Sequence, residues 1–378
     1  MRVLLAIPCL MRGGTEMQSL YHAKALLSGG YTVEVVCYFE FDKGVVDDFR
    51  QAGCTVSLLH LKRGGGKSAF ISVMKDFYRA SRPDVLHVQY MTPGALSIIA
   101  ARLAGLTTIL ATVHQPYTRA HGLMALILLR ASALLCTKFF AVSKAAERSW
   151  FGSSNDCEKQ LRFSRHCTIH NAVDTQRVAA LSGSVQAAVL KQHYRFSDVF
   201  VFGYIGRLSH EKGVDILFEA FGKLAQRRNG IRLLVVGDGE EKAELERTFG
   251  SEIWWSSIAF AGKQTWETAM AHLAAMDAVV VPSRFEGFGL SAVEAMAAAK
   301  PVIASDTGGL SEIVRHGKSG LVFQNGDVTE LAGLMDELVE NASLRNLLAE
   351  DAKKCAETYD ISVYEKKIIS YYNKLKKA

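Results

Sequence analysis

Two carboxylates, Glu286 and Glu294, stand with seven residues between them in VVPSRFEGFGLSAVEAMAAAKPVIAS, residues 280–305. A glycosidase pair would hold its carboxyl groups roughly 5–9.5 Å apart. Eight helical steps at 1.5 Å would instead part the two backbones by about 12 Å. Gly287 and Gly289 argue that Glu286 sits in a turn, with Glu294 two turns along the helix that follows. That geometry suits the two ends of one elongated ligand. Glu286 would accept hydrogen bonds from sugar hydroxyls, beside the amides of Gly287, Phe288, Gly289 and Leu290. Glu294 would accept both hydroxyls of a ribose.

A ligand of that length needs something to hold its middle. Two glycine-rich turns follow strand-like runs: PCLMRGGTE, residues 8–16, and GYIGRLSHEKG, residues 203–213. Glycine lets backbone approach an anion closely, and the N–H groups that open a helix favour negative charge. A Gly-Gly turn alone is commonly only a turn. The second one also supplies Arg207 and Lys212, a planar fork and a point charge suited to a diphosphate. Other nucleotide fingerprints fail. GDGEEK at 237–242 begins like G-x-G-x-x-G but ends in lysine, and GGGKS at 64–68 lacks Walker A spacing, so it reads as a flexible basic loop.

Apolar runs alternating with helical-period stretches must position these turns. Strands are expected at 3–7, 32–37, 55–59, 85–88, 107–113, 139–142 and 167–170, then at 199–205, 232–236, 258–260, 278–281, 302–304 and 321–323. Helices are expected at 15–28, 68–80 and 94–104, among others. Such alternation predicts parallel sheets with helices on both faces. The pattern restarts near residue 199 after a polar stretch at 175–198. At 378 residues the chain exceeds a single core. We divide it into 1–185, 186–360 and a basic helix at 361–378 that packs back on the first domain.

Half the residues are hydrophobic and 22% charged, an ordinary globular balance. Residues 1–190 hold 21 Lys and Arg against 12 Asp and Glu, a net +9, whereas the remainder is −3. Different partners for the two halves follow. Basic residues are not interleaved with aromatics, which disfavours nucleic acid as a partner. Seven scattered cysteines without a CxxC fit a reduced, cytoplasmic setting and no metal site. MRVLLAIP reads as a buried first strand rather than a signal peptide. The segment 122–135, GLMALILLRASALL, is too short to span a bilayer. A core helix is the first reading of it and a membrane-facing helix the second.

The E-x7-E segment, the Gly-Arg-Leu and Glu-Lys-Gly of residues 206–213, and Asn-Ala-Val-Asp at 171–174 resemble the retaining glycosyltransferases of family 4. Alanine at 172 departs from the glycine common in that family. The resemblance implies the GT-B fold, two Rossmann-like doubly wound domains facing across a cleft. It also implies that Arg207 and Lys212 hold the donor diphosphate, Glu294 the ribose and Glu286 the sugar. Gly14 would lie beside the phosphates and His114 would face the donor sugar. No cofactor is implied, and the lack of Asp-x-Asp accords with metal-independent transfer. Partners would be a nucleotide-diphosphate sugar donor, with a UDP-sugar preferred to GDP-mannose, and a saccharide or lipid-linked saccharide acceptor. Bacterial cell-surface polysaccharide or lipopolysaccharide would be the product. An anionic membrane surface on the cytosolic face would suit the basic half. An epimerase of nucleotide sugars or a sugar phosphorylase on the same fold is the rival reading.

Overall fold

A computed structural model of the chain describes residues 1–90, 93–155, 157 and 164–376. Strands β1 (Arg2–Ile7), β2 (Thr32–Cys37), β3 (Thr55–Leu58), β4 (Val85–Tyr90), β5 (Ile109–Val113), β6 (Lys138–Ala141) and β7 (His166–Thr168) form one parallel sheet. Their order is β3-β2-β1-β4-β5-β6-β7. Strands β8 (Phe200–Ile205), β9 (Ile231–Val236), β10 (Ile258–Gly262), β11 (Ala278–Val281), β12 (Val302–Ser305) and β13 (Leu321–Phe323) form a second, ordered β10-β9-β8-β11-β12-β13. Both faces of each sheet are covered, which is why the strands read as continuous apolar runs rather than alternating ones. In β1, Val3, Leu5 and Ile7 enter one core, while Leu4 and Ala6 enter another on the opposite face.

Contacts divide the chain into Met1–Ala172 with Ile361–Ala378, and Val173–Asp360. Residues 377 and 378 of the expected closing helix lie outside the described residues. The boundary drawn between 185 and 186 falls inside the second unit. Helices Thr175–Leu181 and Ser184–His193, polar enough to read as a connector, pack on helix Trp266–His272. Val178 of the first is buried, whereas Val185 and Val189 of the second are exposed.

Helix Ile361–Leu375 packs on helix Gly14–Ser28 through Ile368, Tyr371 and Tyr372, which join the core with Leu20, Ala23 and Leu26. A buried polar chain ties it in. Tyr364 Oη lies 2.8 Å from His22 Nδ1, and His22 Nε2 lies 3.1 Å from Tyr372 Oη. Tyr372 Oη in turn meets His87 Nδ1 at 2.7 Å, and His87 Nε2 meets Thr112 Oγ1 at 2.7 Å. Burial lowers His22 to about 3 and His114 to about 4, and pushes His87 well down. These imidazoles are neutral in the fold but protonate below ~6.5 when unfolded. The stability they contribute is therefore complete above pH ~6.5 and lost as pH falls below it, down to about 4 for His114, about 3 for His22 and further for His87. Thermal unfolding should show a midpoint lower at pH 5 than at pH 7, each histidine costing up to ~1.4 kcal/mol per pH unit. An unchanged midpoint would mean that the histidines protonate without leaving the core.

Two expectations need correction. Cys157 and Cys167, the middle residue of β7, are paired as a disulfide, while Cys9, Cys37, Cys54, Cys136 and Cys355 are free thiols. The segment 122–135 forms helix Gly122–Leu134, yet it is not a core helix. Only Leu129, Ser132 and Ala133 are buried, whereas Leu123, Met124, Ile127, Leu128 and Leu134 are exposed. High apolar content does not reveal which face is covered.

Candidate functional site

In the second sheet the strand order reverses between β8 and β11, a topological switch point at which doubly wound sheets bind ligands beyond their carboxyl ends. The loops after these two strands meet there. Gly213 has φ 62°, and a Cβ on it would come 2.1 Å from the carbonyl oxygen of Pro282, so only glycine permits the approach. Arg284 fastens the loops. Its amide donates to the Glu211 carbonyl at 2.8 Å, and its guanidinium donates to Asp215 in a fork, both bonds 2.6 Å. Neither Arg284 nor Asp215 was singled out in the sequence, although Arg284 stands two residues before the E-x7-E segment. Nothing in local spacing pairs it with Asp215.

Lys212 and Glu286, taken from separate loops by sequence, are brought together. Lys212 Nζ donates to Glu286 Oε2 at 2.7 Å, and Ser283 Oγ donates to the same oxygen at 3.1 Å. Glu286 keeps 12% of its side-chain exposure and Lys212 keeps 30%. The turn after β12 braces the loop, with the Gly309 amide donating to the Glu286 carbonyl at 3.1 Å and Thr307 Oγ1 to the Arg284 carbonyl at 3.0 Å. Ser305 Oγ donates to the Ser283 carbonyl at 2.6 Å. Arg207 belongs to the same loop as Lys212 but is largely exposed, 3.4 Å from Glu211, and its backbone carbonyl accepts from Tyr204 Oη at 2.7 Å. One loop therefore carries a lysine held by Glu286 and an exposed arginine.

Beyond Glu286 the chain turns through Gly287, a buried Phe288 set edge-on to Tyr359, and Gly289 at φ 112°, into helix Leu290–Ala297. Glu294 is the fifth residue of that helix, so it lies about one turn from its start rather than two. Burial raises its carboxyl above the usual range, and the hydrogen bond from Trp266 Nε1 to Oε1 at 2.8 Å opposes the rise. Trp266 carried no sequence signal. The pair spans 28 residues of chain.

Gly14 and His114 belong to the first unit. Gly14 opens helix Gly14–Ser28, but Glu16 sits at that helix start, accepting from Cys9 Sγ at 3.5 Å and from the Met11 backbone. A carboxylate already in place disfavours a second anion. His114 follows β5, with Nε2 2.6 Å from Gln89 Oε1 and Nδ1 without a partner among the described residues. It borders a cavity of about 20 Å³, lined also by Gln18, His22, Gln89 and Asn171, with room for about one water. Among the described residues no cluster of three His, Cys, Asp or Glu side chains could hold a metal.

The model for Glycosyltransferase Family 4 matches residues 12–177, and that for Glycosyl transferases group 1 matches residues 186–355. The chain is 27% identical to an alpha-D-kanosaminyltransferase of Streptomyces kanamyceticus over 50% of its length and 49% of that protein's. It is 26% identical to the capsular polysaccharide biosynthesis glycosyltransferase CapM of Staphylococcus aureus, over 48% of each chain. The chain spans about half the length of the curated relatives it matches. Among solved structures, Anabaena HepE in complex with UDP is similar at a TM-score of 0.84 and 21% identity, covering 99% of this chain and 100% of that one. Likeness at that identity shows a shared fold.

Proposed function

Because the chain belongs to the family 4 glycosyltransferases and has their GT-B fold, we propose that it transfers a sugar, with retention, from a nucleotide-diphosphate donor to an acceptor hydroxyl. One observation carries the reading: a lysine and a glutamate, hydrogen-bonded across the switch point of the second sheet, stand one loop before a helix that bears Glu294. Lys212 and Arg207 meet the diphosphate, Glu294 the ribose and Glu286 the sugar. Negative charge grows on the diphosphate as the glycosidic bond breaks. A cation already fixed by Glu286 stabilises that charge with little reorganisation. Glu286 is held by Lys212 and Ser283, so we assign it to orienting the sugar rather than to attack, and transfer to same-face displacement. The buried Glu16 leaves Gly14 outside this assignment, and His114 enters it only as a neutral hydrogen-bonding group.

A UDP-sugar is the favoured donor, consistent with the UDP found in HepE, and cell-surface polysaccharide or lipopolysaccharide the favoured product, consistent with CapM. Screening UDP- and GDP-sugars for released nucleoside diphosphate tests the reading. Release that rises with added acceptor, with the anomeric configuration kept, supports it. Conversion of the donor sugar without an acceptor would instead identify an epimerase.

The first unit is proposed to rest on an anionic membrane surface at the cytosolic face. Exposed positions 123, 124, 127, 128, 131, 134 and 135 make a continuous apolar stripe on helix Gly122–Leu134 and its end. From residue 85 to 146 the chain has no Asp or Glu, but five Arg and Lys. Among the described residues no helix is long and apolar enough to cross a membrane. Each basic group near anionic lipid adds about 1 kcal/mol. The chain should co-sediment with anionic liposomes at low salt and leave them near ~0.5 M salt, where screening shortens to a few Å. Leu123→Gln with Ile127→Gln should abolish co-sedimentation. Equal recovery with anionic and neutral liposomes would contradict the proposal.

A further inference from the structure

Glu294 receives the indole N–H of Trp266, and Trp266 is itself held on two sides. It is the first residue of helix Trp266–His272, whose start is fixed by Thr265, the side chain of which accepts from the Thr268 amide at 3.2 Å. The Arg177 guanidinium lies over the ring at 5.1 Å and donates to Glu267, the next residue, at 2.8 Å. Arg177 stands on helix Thr175–Leu181, capped by Asp174, whose Oδ1 accepts from the Arg177 amide at 3.0 Å. Three helices thus converge on one carboxylate. A glutamate on a helix surface ordinarily samples several rotamers, and holding it costs side-chain entropy. Here the indole bond fixes Oε1 and leaves Oε2 to outside donors.

We propose that Trp266 is a positioning residue that presents the Glu294 carboxylate, ionised and in one orientation, to the vicinal hydroxyls of the donor ribose. The proposal rests on the reading that Glu294 binds that ribose. Of the charged groups on the helices packed against it, Arg177 and Glu267 satisfy each other, and none from Leu310–Ile313 or Ala342–Glu357 shifts Glu294. Burial alone raises its pKa, and the indole bond alone opposes it. Without the bond Glu294 would hold its proton to higher pH, and a protonated carboxyl accepts fewer hydroxyls. A merely structural tryptophan would leave that pH dependence where it was.

The experiment is calorimetric titration of the full chain with UDP from pH 5 to 8, for wild type, Trp266→Phe and Glu294→Gln. Trp266→Phe keeps the ring and loses the donor. It should bind UDP about 3- to 10-fold more weakly at pH 7.5, the loss expected for one hydrogen bond. The acid limb of its affinity should move to higher pH, and the titration of UDP itself cancels between variants. Glu294→Gln should bind weakly and lack the Glu294 limb. A Trp266→Phe profile that superposes on wild type while Glu294→Gln loses affinity overturns the role of Trp266 alone. Unchanged affinity in Glu294→Gln overturns the ribose reading and this proposal with it. Should Trp266→Phe unfold, Trp266→Leu, which also lacks the N–H, takes its place.

Discussion

Lys212→Ala should turn over about 10²–10³-fold more slowly than wild type, the loss that follows deletion of one preorganised charge-stabilising donor. The ammonium is held by Glu286 at 2.7 Å in a loop that Arg284 and Gly213 press against its neighbour, so it waits where the leaving group must form. Removal has a second cost. The Glu286 side chain would be left with only Ser283 as a described side-chain donor, close to where an anionic diphosphate must enter. Both effects weaken the transition state more than the folded chain. Lys212 is partly exposed and lies outside the second unit's core, so the thermal midpoint should barely move. Turnover within threefold of wild type, with the fold intact, would remove Lys212 from the diphosphate site.

Glu294→Gln should weaken nucleotide binding by about 10- to 150-fold, the affinity equivalent of charge-assisted hydrogen bonds at roughly 1.5–3 kcal/mol. The amide keeps the side chain's size and an oxygen that can still accept from Trp266. It replaces a second acceptor with a donor, which two ribose hydroxyls cannot both satisfy. Partial burial makes the change larger than it would be on an open surface, because the remaining interactions are less screened by water. The loss should appear in the dissociation constant of the free nucleoside diphosphate as much as in turnover. Equal affinity for UDP in the two proteins would mean that Glu294 points elsewhere.

The strands were legible because parallel sheets covered on both faces leave unbroken apolar runs such as VLLAI and AVVV, bounded by turn residues. E-x7-E was legible for a related reason. Glycine beside one glutamate and helical apolar spacing around the other mark a turn and a helix without any partner being known. Partners distant in sequence left no such mark. Arg284 reaches Asp215 across 69 residues, and Trp266 reaches Glu294 across 28. Composition also misplaced two segments. Residues 122–135 are apolar enough for a core yet turn their apolar face outward, and helices Thr175–Leu181 and Ser184–His193 are polar enough for a linker yet pack into the second unit. In each case the deciding quantity is which side of a helix finds a neighbour, and local sequence does not carry it.

The central claim concerns where the nucleotide lies, and a crystal structure of the full chain with UDP bound tests it most directly. The account predicts the diphosphate within hydrogen-bond distance of Lys212 and Arg207 beyond β8, and both ribose hydroxyls on the Glu294 carboxylate. UDP bound with its diphosphate away from Lys212, or with its ribose out of reach of Glu294, would contradict it.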